Sequence, residues 1–316
     1  MLGHRLLLIG GGHAHLGLLA DWIRHGRPDG ELTLLSPDRH TRYSGMIPGT
    51  VSGQYDRDTG LIDLAPLARR AGVNLVLDRC IAIDPEGRMV DTAGGRRIAF
   101  DLCSIDTGGV GMAREELGTD PRLLDVRPIG TFLTRLDRVP DGAVHHVAVI
   151  GGGAGGVELA FALRHRRADP PLRVTLVAGA AGVLAGFAPR ARKLATRALA
   201  ARGITLVKGD ARCKDGQLDA GGRSLEPVDQ VLAALGAAAP EWPGASGLAV
   251  DDHGFIKVDR NQRSVSHPQI LAAGDVAARQ DRHVPRSGVH AVHTGPVLAT
   301  NLRHLLNGSG TLHSYT

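Results

Sequence analysis

Short, nearly unbroken apolar runs alternate along the chain with longer segments whose apolar positions recur every three or four residues. The runs "HRLLLIG", "ELTLLS" and "VNLVL" read as strands buried on both faces, since a half-exposed strand would alternate apolar and polar positions. The segments "HLGLLADWIRHG" and "LIDLAPLARRAG" carry the helical spacing and read as helices. "PDRHTRYSGMIPG", rich in turn formers, reads as a loop. "RCIAID" and "MVDTA" on either side of "PEGR" read as a hairpin, and "FDLCSIDTGG" as a buried strand that runs into glycines.

The pattern then starts again. "HVAVIG", a Gly-rich loop, the helix "GGVELAFALRHRR" and the strand "RVTLVAG" repeat the opening order, 141 residues after it when counted from Gly10 to Gly151. The helix "RARKLATRALAARG" and the strands "ITLVKG" and "QVLAALGAAAP" follow, and "ILAAGDVA" and the long helix "SGVHAVHTGPVLATNLRHLLNG" close the chain. Strands alternating with helices predict parallel sheets, and the repeat predicts two of them. The expected fold is α/β with two Rossmann-like domains, the second inserted into the first. Residues 1–118 and 244–316 would form the first domain and residues 119–243 the second.

Composition narrows the function classes. At 316 residues, 43% hydrophobic and 22% charged, the chain is long enough for two cores and ordinary for a globular protein. Aromatics make up 3%, too few for base-stacking platforms, and the net charge of +5 is spread without a basic block, so no nucleic-acid partner is expected. Cys80, Cys103 and Cys213 contain no CxxC pair, which fits a reducing cytoplasm and buried structural thiols. No run approaches about 18 apolar residues, so no transmembrane segment is expected, and the N-terminus does not read as a signal peptide. No metal site is expected.

The two Gly-rich stretches carry the chemistry. A pyrophosphate must be desolvated and held, and backbone N–H groups at a helix N-terminus do this when glycines let them approach. Each stretch lies between an expected strand and an expected helix, the context the motif requires. In the second, "GGGAGG", Gly151, Gly153 and Gly156 have the full spacing, with Ala154 and Gly155 between. In the first, "GGGHAH", Gly10 and Gly12 are kept, but His15 stands in place of the last glycine, after His13 and Ala14. That exchange predicts a helix set further from its strand. The imidazoles would either fill the gap with a hydrogen bond or touch phosphate or ribose.

Taken with "DLCSIDTGG", "VLAALGAAAP" and "ILAAGDVA", these units resemble the two-dinucleotide-binding-domain flavoproteins of the pyridine nucleotide-disulfide oxidoreductase superfamily. "GGGHAH", "LSPDRHTRYSGMIPG" and "GVHAVHTGPVLATNL" further resemble the members fused ahead of selenophosphate synthetase, which are related to type II NADH dehydrogenases and sulfide:quinone oxidoreductases. The resemblance implies FAD in the first domain, with its pyrophosphate at Gly10, Gly12 and the helix that follows. It places Ser36, Pro37 and Asp38 near the adenosine ribose and the Cys80 backbone near the adenine. Ser44, Gly45 and Met46 would pass beside the isoalloxazine, and Thr107 and Gly108 would end a strand near the cofactor. Asp275, after Gly274, would accept from a ribityl hydroxyl; capping a turn is its other reading. The helix starting at Ser287, Gly288 and Val289 would aim its positive end at the flavin N1 and C2 oxygen, where reduced flavin is anionic. In the second domain the resemblance implies NAD(P)H at the 151–156 loop, Ala178 and Gly236. Glu158 would lie near the nicotinamide; a carboxylate held by the helix dipole is the alternative.

Three departures stand out. An NAD site usually has an acid some 20 residues past the loop, yet no Asp or Glu occurs from Pro170 to Gly209, where seven Lys or Arg do. Arg190, Arg192 or Lys193 would then meet a 2′-phosphate or simply be solvated, and NADPH would serve at least as well as NADH. The closely spaced cysteine pair of disulfide reductases is missing, as are two cysteines beside the flavin for sulfide oxidation. Relatives also continue into a third domain whose counterpart is expected to be missing here, leaving a flavin face to a partner subunit or a second copy. His290 and His293 would relay protons or be plain helix surface.

The function expected is that of an FAD-dependent oxidoreductase passing hydride from NAD(P)H to FAD and electrons on to a quinone or other small-molecule acceptor. A flavin dehydrogenase or oxidase that does not use NAD(P)H, and a flavin-binding subunit that acts only with a partner protein, are the alternatives.

Overall fold

The computed structural model describes residues 4–137, 144–166, 172–214, 216–225, 227–308 and 310–315. Ten strands make two parallel sheets: β1 (Arg5–Ile9), β2 (Glu31–Ser36), β3 (Asn74–Leu77), β4 (Leu102–Ile105), β5 (Leu123–Asp125), β6 (His146–Ile150), β7 (Arg173–Ala178), β8 (Thr205–Lys208), β9 (Gln230–Ala233) and β10 (Ile270–Ala272). The first sheet runs β10-β4-β1-β2-β3 and the second β5-β9-β6-β7-β8. The helices that matter below are α1 (His13–His25), α2 (Ile47–Ser52), α3 (Ala154–Arg166), α4 (Pro189–Ala201) and α5 (Gly288–Asn307). The α/β class with two parallel sheets is as the apolar runs predict.

The runs are continuous because each sheet is covered on both faces. On one face of the first sheet Leu6 and Leu8 of β1 join Leu34 of β2 and Leu271 of β10 under Leu18, Trp22, Leu298 and Leu302. On the other, Leu7 and Ile9 join Leu35, Cys103 and Ile105 against Val90 and Phe100, which belong to the hairpin region. In the second sheet Val147 and Val149 of β6 pack with Val157 and Leu163 of α3, while Ala148 and Ile150 pack with Ala211, Leu218 and Ala220. Alternate residues of one strand thus serve two different cores, which keeps its apolar run nearly unbroken.

Helices α1 and α5 lie together at backbone distance. A Cβ placed on Gly295 would lie 2.7 Å from the Ala14 carbonyl oxygen and 2.9 Å from Gly17 Cα. Two glycines let the helices close.

Contacts divide the chain into one unit of Met1–Tyr43, Leu61–Gly109 and Ala238–Thr316, and another of Ser44–Gly60 and Val110–Ala237. The segment 44–60, placed by sequence within residues 1–118, falls with the second unit: Ile47 and Val51 of α2 are part of the core built around α3. The expected loop around it holds structure, with a strand at His40–Arg42, a 3-10 turn at Ser44–Met46 and then α2. The helix expected over 61–72 begins late. Leu61–Asp63 pairs antiparallel with His40–Arg42, and the Asp63 carboxylate caps the helix by accepting the Ala65 N–H at 2.9 Å. β5, the helix Ile129–Asp137 and the antiparallel strands Ala211–Lys214, Gln217–Ala220 and Arg223–Ser224 lie outside the elements that the apolar pattern predicts.

Candidate functional site

In both sheets the strand order reverses beside the strand that leads into a Gly-rich loop, between β1 and β4 and between β6 and β9. Ligands of open parallel sheets bind at this reversal, outside the carboxyl ends of the strands. The first glycine has the same cause in both loops. Gly10 sits at φ +97° and donates to the Leu35 carbonyl at 2.8 Å; Gly151 sits at φ +132° and donates to the Val177 carbonyl at 2.8 Å. A Cβ on Gly10 would lie 2.3 Å from Asp106 O, and one on Gly151 would lie 2.2 Å from Ala234 O.

Beyond that point the loops differ. A Cβ on Gly156 would fall 1.9 Å from Gly151 O, so α3 starts in backbone contact with its loop. At the matching place in the first unit stands a whole histidine. His15 is fully buried, with Nδ1 2.7 Å from Gly10 O and Nε2 2.8 Å from Ser104 Oγ. A carbonyl can only accept, so Nδ1 carries the proton and Nε2 accepts from the Ser104 hydroxyl. Burial pushes the imidazole down to about 4, although the hydrogen bond to Gly10 favours its charged form. The expectation that this ring touches phosphate or ribose is therefore corrected: both nitrogens are used beneath the loop. His13 packs edge-on against Tyr43, with ring centroids 5.4 Å apart.

A residue that sequence reasoning passed over lies beside His15. The registers Ile9–Ile105 and Ile150–Ala233 make Asp106 and Ala234 equivalent, each the residue just past its strand. Their amides confirm it, donating to Ile9 O and Ile150 O at 2.8 Å each. Where the second unit has a methyl, the first has a buried carboxylate whose Oδ2 accepts the His15 N–H at 2.9 Å. A Cβ on Gly12 would be 2.4 Å from that carboxyl group, and one on Gly274 would be 2.5 Å from Oδ1. Burial pushes Asp106 up to about 6; the His15 and Ala14 amides and nearby His13 pull the other way, and Asp275 adds to the rise. The signal lies in "SIDTGG", an acid placed directly after a buried strand.

The other candidates of the first unit gather along the same edge. Ser36 ends β2 buried, its hydroxyl donating to Asp38 O at 2.8 Å, with Pro37 and Asp38 exposed. Thr107 is exposed, Gly108 and Gly274 each have φ +69°, and Asp275 is buried beside Gly274. α5 opens at Ser287 and Gly288, with Val289 exposed. His290 Nδ1 meets the Tyr315 hydroxyl at 2.5 Å, and His293 is exposed. These residues fit a dinucleotide: Gly11 and Gly12 bring partly exposed, side-chain-free backbone to the start of α1, and α5 presents a second helix start. Cys80 packs its thiol into the core of this unit.

In the second unit Gly153 and Gly155 have open space where a Cβ would be, as does Gly236, at φ +95°. Ala154 is exposed, and partial desolvation raises the Glu158 carboxyl above its ordinary value at the surface of α3. Ala178 ends β7, so close that a Cβ on Gly152 would lie 2.7 Å from it. Beyond it a cavity of about 250 Å³ is lined by Gly182, Arg192, Lys193, Thr196 and Lys208 among others. Arg192 spends its guanidinium on the Ala181 and Val183 carbonyls, at 2.9 and 3.3 Å, which leaves Lys193 and Lys208 as the exposed cations. Arg190 is exposed on the same helix. Asp210, one residue past the acid-free stretch, brings Oδ1 to 3.6 Å from a Cβ placed on Gly179. Ser44, Gly45 and Met46, expected beside the isoalloxazine, form the turn into α2 and belong to this unit.

A family model described as pyridine nucleotide-disulphide oxidoreductase matches residues 4–295. The chain belongs to that family. The family is FAD-dependent, with NAD(P)H as electron donor. The chain is 32% identical to the dihydrolipoyl dehydrogenase of Thermus scotoductus over 178 residues, 51% of this chain and 37% of that one. It is 25% identical to the sulfide-quinone reductase of Aquifex aeolicus over 107 residues, 34% of this chain and 25% of the other. The chain thus spans well under half of these curated relatives. A ferredoxin reductase from Rhodopseudomonas palustris shares the fold, with TM-score 0.84 at 22% identity, covering 99% of this chain and 78% of that one.

Cys80, Cys103 and Cys213 are buried and free. Burial pushes Cys80 up to about 12, Cys103 well above its usual value and Cys213 upward. Each is held as the un-nucleophilic thiol. Among the described residues no group of metal-binding side chains occurs and no helix is long and apolar enough to cross a membrane.

Proposed function

We propose that this chain is an FAD-dependent oxidoreductase that takes electrons from NAD(P)H and passes them to a small acceptor such as a quinone. The observation that carries the reading is the pair of strand–glycine loop–helix units, each at the strand-order reversal of its own parallel sheet. One chain built this way has two places for a pyrophosphate, as a flavin and a nicotinamide nucleotide together require. When bound, FAD supplies two-electron transfer. The chain's residues supply position and charge: Gly10 to Gly12 and the start of α1 hold the pyrophosphate, Asp275 a ribityl hydroxyl, and the start of α5 the charge that reduction places on the ring. Gly151 to Gly156 hold the nicotinamide nucleotide, with Glu158 on the helix that follows.

The relatives named above act on different partners by their names, so none of them supplies the acceptor. Three protonated, buried thiols speak against a disulfide or sulfide step and for a diffusible two-electron acceptor. Free thiols fit a cytoplasmic place. Lys193 and Lys208 beside the end of β7 fit a 2′-phosphate, and we read NADPH as accepted at least as well as NADH. The stretches "GGGHAH" and "GVHAVHTGPVLATNL" keep the likeness to proteins fused to selenophosphate synthetase as the narrower assignment, with a partner subunit or second copy covering the flavin. Anaerobic addition of NADPH or NADH to the flavin-loaded protein tests the reading. Bleaching near 450 nm by NADPH is expected; bleaching by neither nucleotide leaves a flavoprotein without nicotinamide chemistry, and a protein that takes up no flavin removes the reading.

A further inference from the structure

The geometry points to Asp106 as an internal rival of the cofactor's pyrophosphate: we propose that Asp106 gains a proton when FAD binds, so that flavin binding by this chain is coupled to uptake of one proton. The inference rests on the flavin reading above. Its ground is the comparison of the two units. At the position equivalent to Ala234, the first unit places a buried carboxylate on the N-terminal turn of the very helix whose amides would face a pyrophosphate. Two anions at one helix start repel, the more so because one of them, Asp106, is buried, and the free energy is lowered if one is neutralised. The dinucleotide's phosphodiesters are too acidic to take the proton, so the carboxylate takes it.

Asp106 is held at the helix start, where its Oδ2 accepts the His15 N–H at 2.9 Å. Its carboxyl group lies 2.4 Å from where a Gly12 Cβ would be and 2.5 Å from where a Gly274 Cβ would be, so both glycines are closed against it. The groups that face it are few. His13 lies near enough to favour the charged carboxylate and Asp275 near enough to oppose it, while the Ala14 and His15 amides point at it from α1. His15 stays neutral beneath the loop, pushed down to about 4 by burial. With Asp106 already raised to about 6, an added phosphate charge that raises it by a further two pH units or more, roughly, holds it protonated through neutral pH.

The sign follows from linkage. Where bound protein holds one more proton than free protein, affinity rises as pH falls, by up to tenfold per pH unit between the free and bound values. The test uses the full chain freed of flavin and titrated with FAD from pH 5.5 to 8.5. Calorimetry at pH 7.5 in two buffers of different ionisation heat counts the protons taken up. The expected result is uptake approaching one proton per FAD, with affinity falling at least tenfold from pH 6 to pH 8. Asp106→Asn should bind FAD more tightly at pH 8 and lose both the proton and the slope. His13→Gln should keep both, because His13 is the other group that can gain a proton there. FAD binding without proton uptake, or uptake that vanishes in His13→Gln and persists in Asp106→Asn, overturns the proposal while leaving the flavin reading intact. If Asp106→Asn does not fold, the proton count on the unmodified chain and on His13→Gln still decides. No FAD binding at any pH removes the flavin reading and this inference with it.

Discussion

The two Gly-rich loops sit at equivalent points of two parallel sheets, yet each secures its helix by different means. In the second, absence does the work: Gly156 has no side chain and Ala234 little, so α3 starts against the loop's own carbonyl. In the first, His15 and Asp106 fill the same two places and join loop, helix and neighbouring strand through Gly10 O, Ser104 Oγ and the His15 amide. A close-packed loop leaves its amides free for a ligand. A hydrogen-bonded one commits part of that capacity to itself and makes it depend on proton balance.

Moving the first solution into the second unit is the severest test of this contrast. Gly156→His should destabilise the protein by on the order of 4 kcal/mol, because its Cβ alone would overlap Gly151 O. His15→Gly, which empties space, should cost less, about 2 to 3 kcal/mol for a buried side chain and the two partners it leaves. Urea denaturation of both variants checks the order; equal losses would show that the two helix starts are not differently packed.

Acid should separate the pair next. Folded His15 lies near 4, below the ordinary 6.5, so its contribution is lost as pH falls from 6.5 to 4. Folded Asp106 lies near 6, above the ordinary 3.8, so its contribution is gained as pH falls from 6 to 3.8. The two effects oppose and nearly cancel in the flavin-free protein. Asp106→Asn should therefore lose about 3 kcal/mol more than the unmodified protein between pH 6.5 and 4, and His15→Gln should gain relative to it. Denaturation midpoints at those two pH values read the difference, and parallel pH profiles in all three proteins would sink the idea.

Smaller effects probe the ligand side. Ala234→Asp gives the second unit the first unit's carboxylate and should weaken NADPH binding about tenfold at pH 8, with recovery toward pH 6. Lys208→Ala should raise the NADPH dissociation constant roughly threefold to tenfold and leave that for NADH nearly unchanged, as for an exposed cation facing a phosphate. Equal effects on both nucleotides would move the 2′-phosphate away from this cavity.

What the sequence discloses follows from how the cores are built. β1, β2, β6 and β7 are buried on both faces, so their apolar runs stand out, and the loops that end β1 and β6 are fixed by positive φ at Gly10 and Gly151. The strands at 211–224 alternate over only two to four residues each, too short for a period to show. α2 has six residues and a proline near its start, so nothing in it has helical spacing to detect. His15 stands out in the sequence as a missing glycine, but its bond to Ser104 depends on which strand lies next to β1, and strand order is not written locally. Asp106 is hidden between its strand and the glycines after Thr107, though a carboxylate directly after an apolar strand is itself a signal.

The segment 44–60 bears on how this molecule is made. Every strand of the second sheet lies between residues 110 and 237, so a fragment with those ends would carry the whole sheet. It would lack Ile47 and Val51, which cover α3 in the finished protein. Those two side chains leave the ribosome long before the helix they cover. They must wait, with their contact closed across about a hundred residues of chain, a cost that grows only slowly with that length. Domain boundaries drawn along the sequence would cut here through a core that the chain assembles from two separate visits.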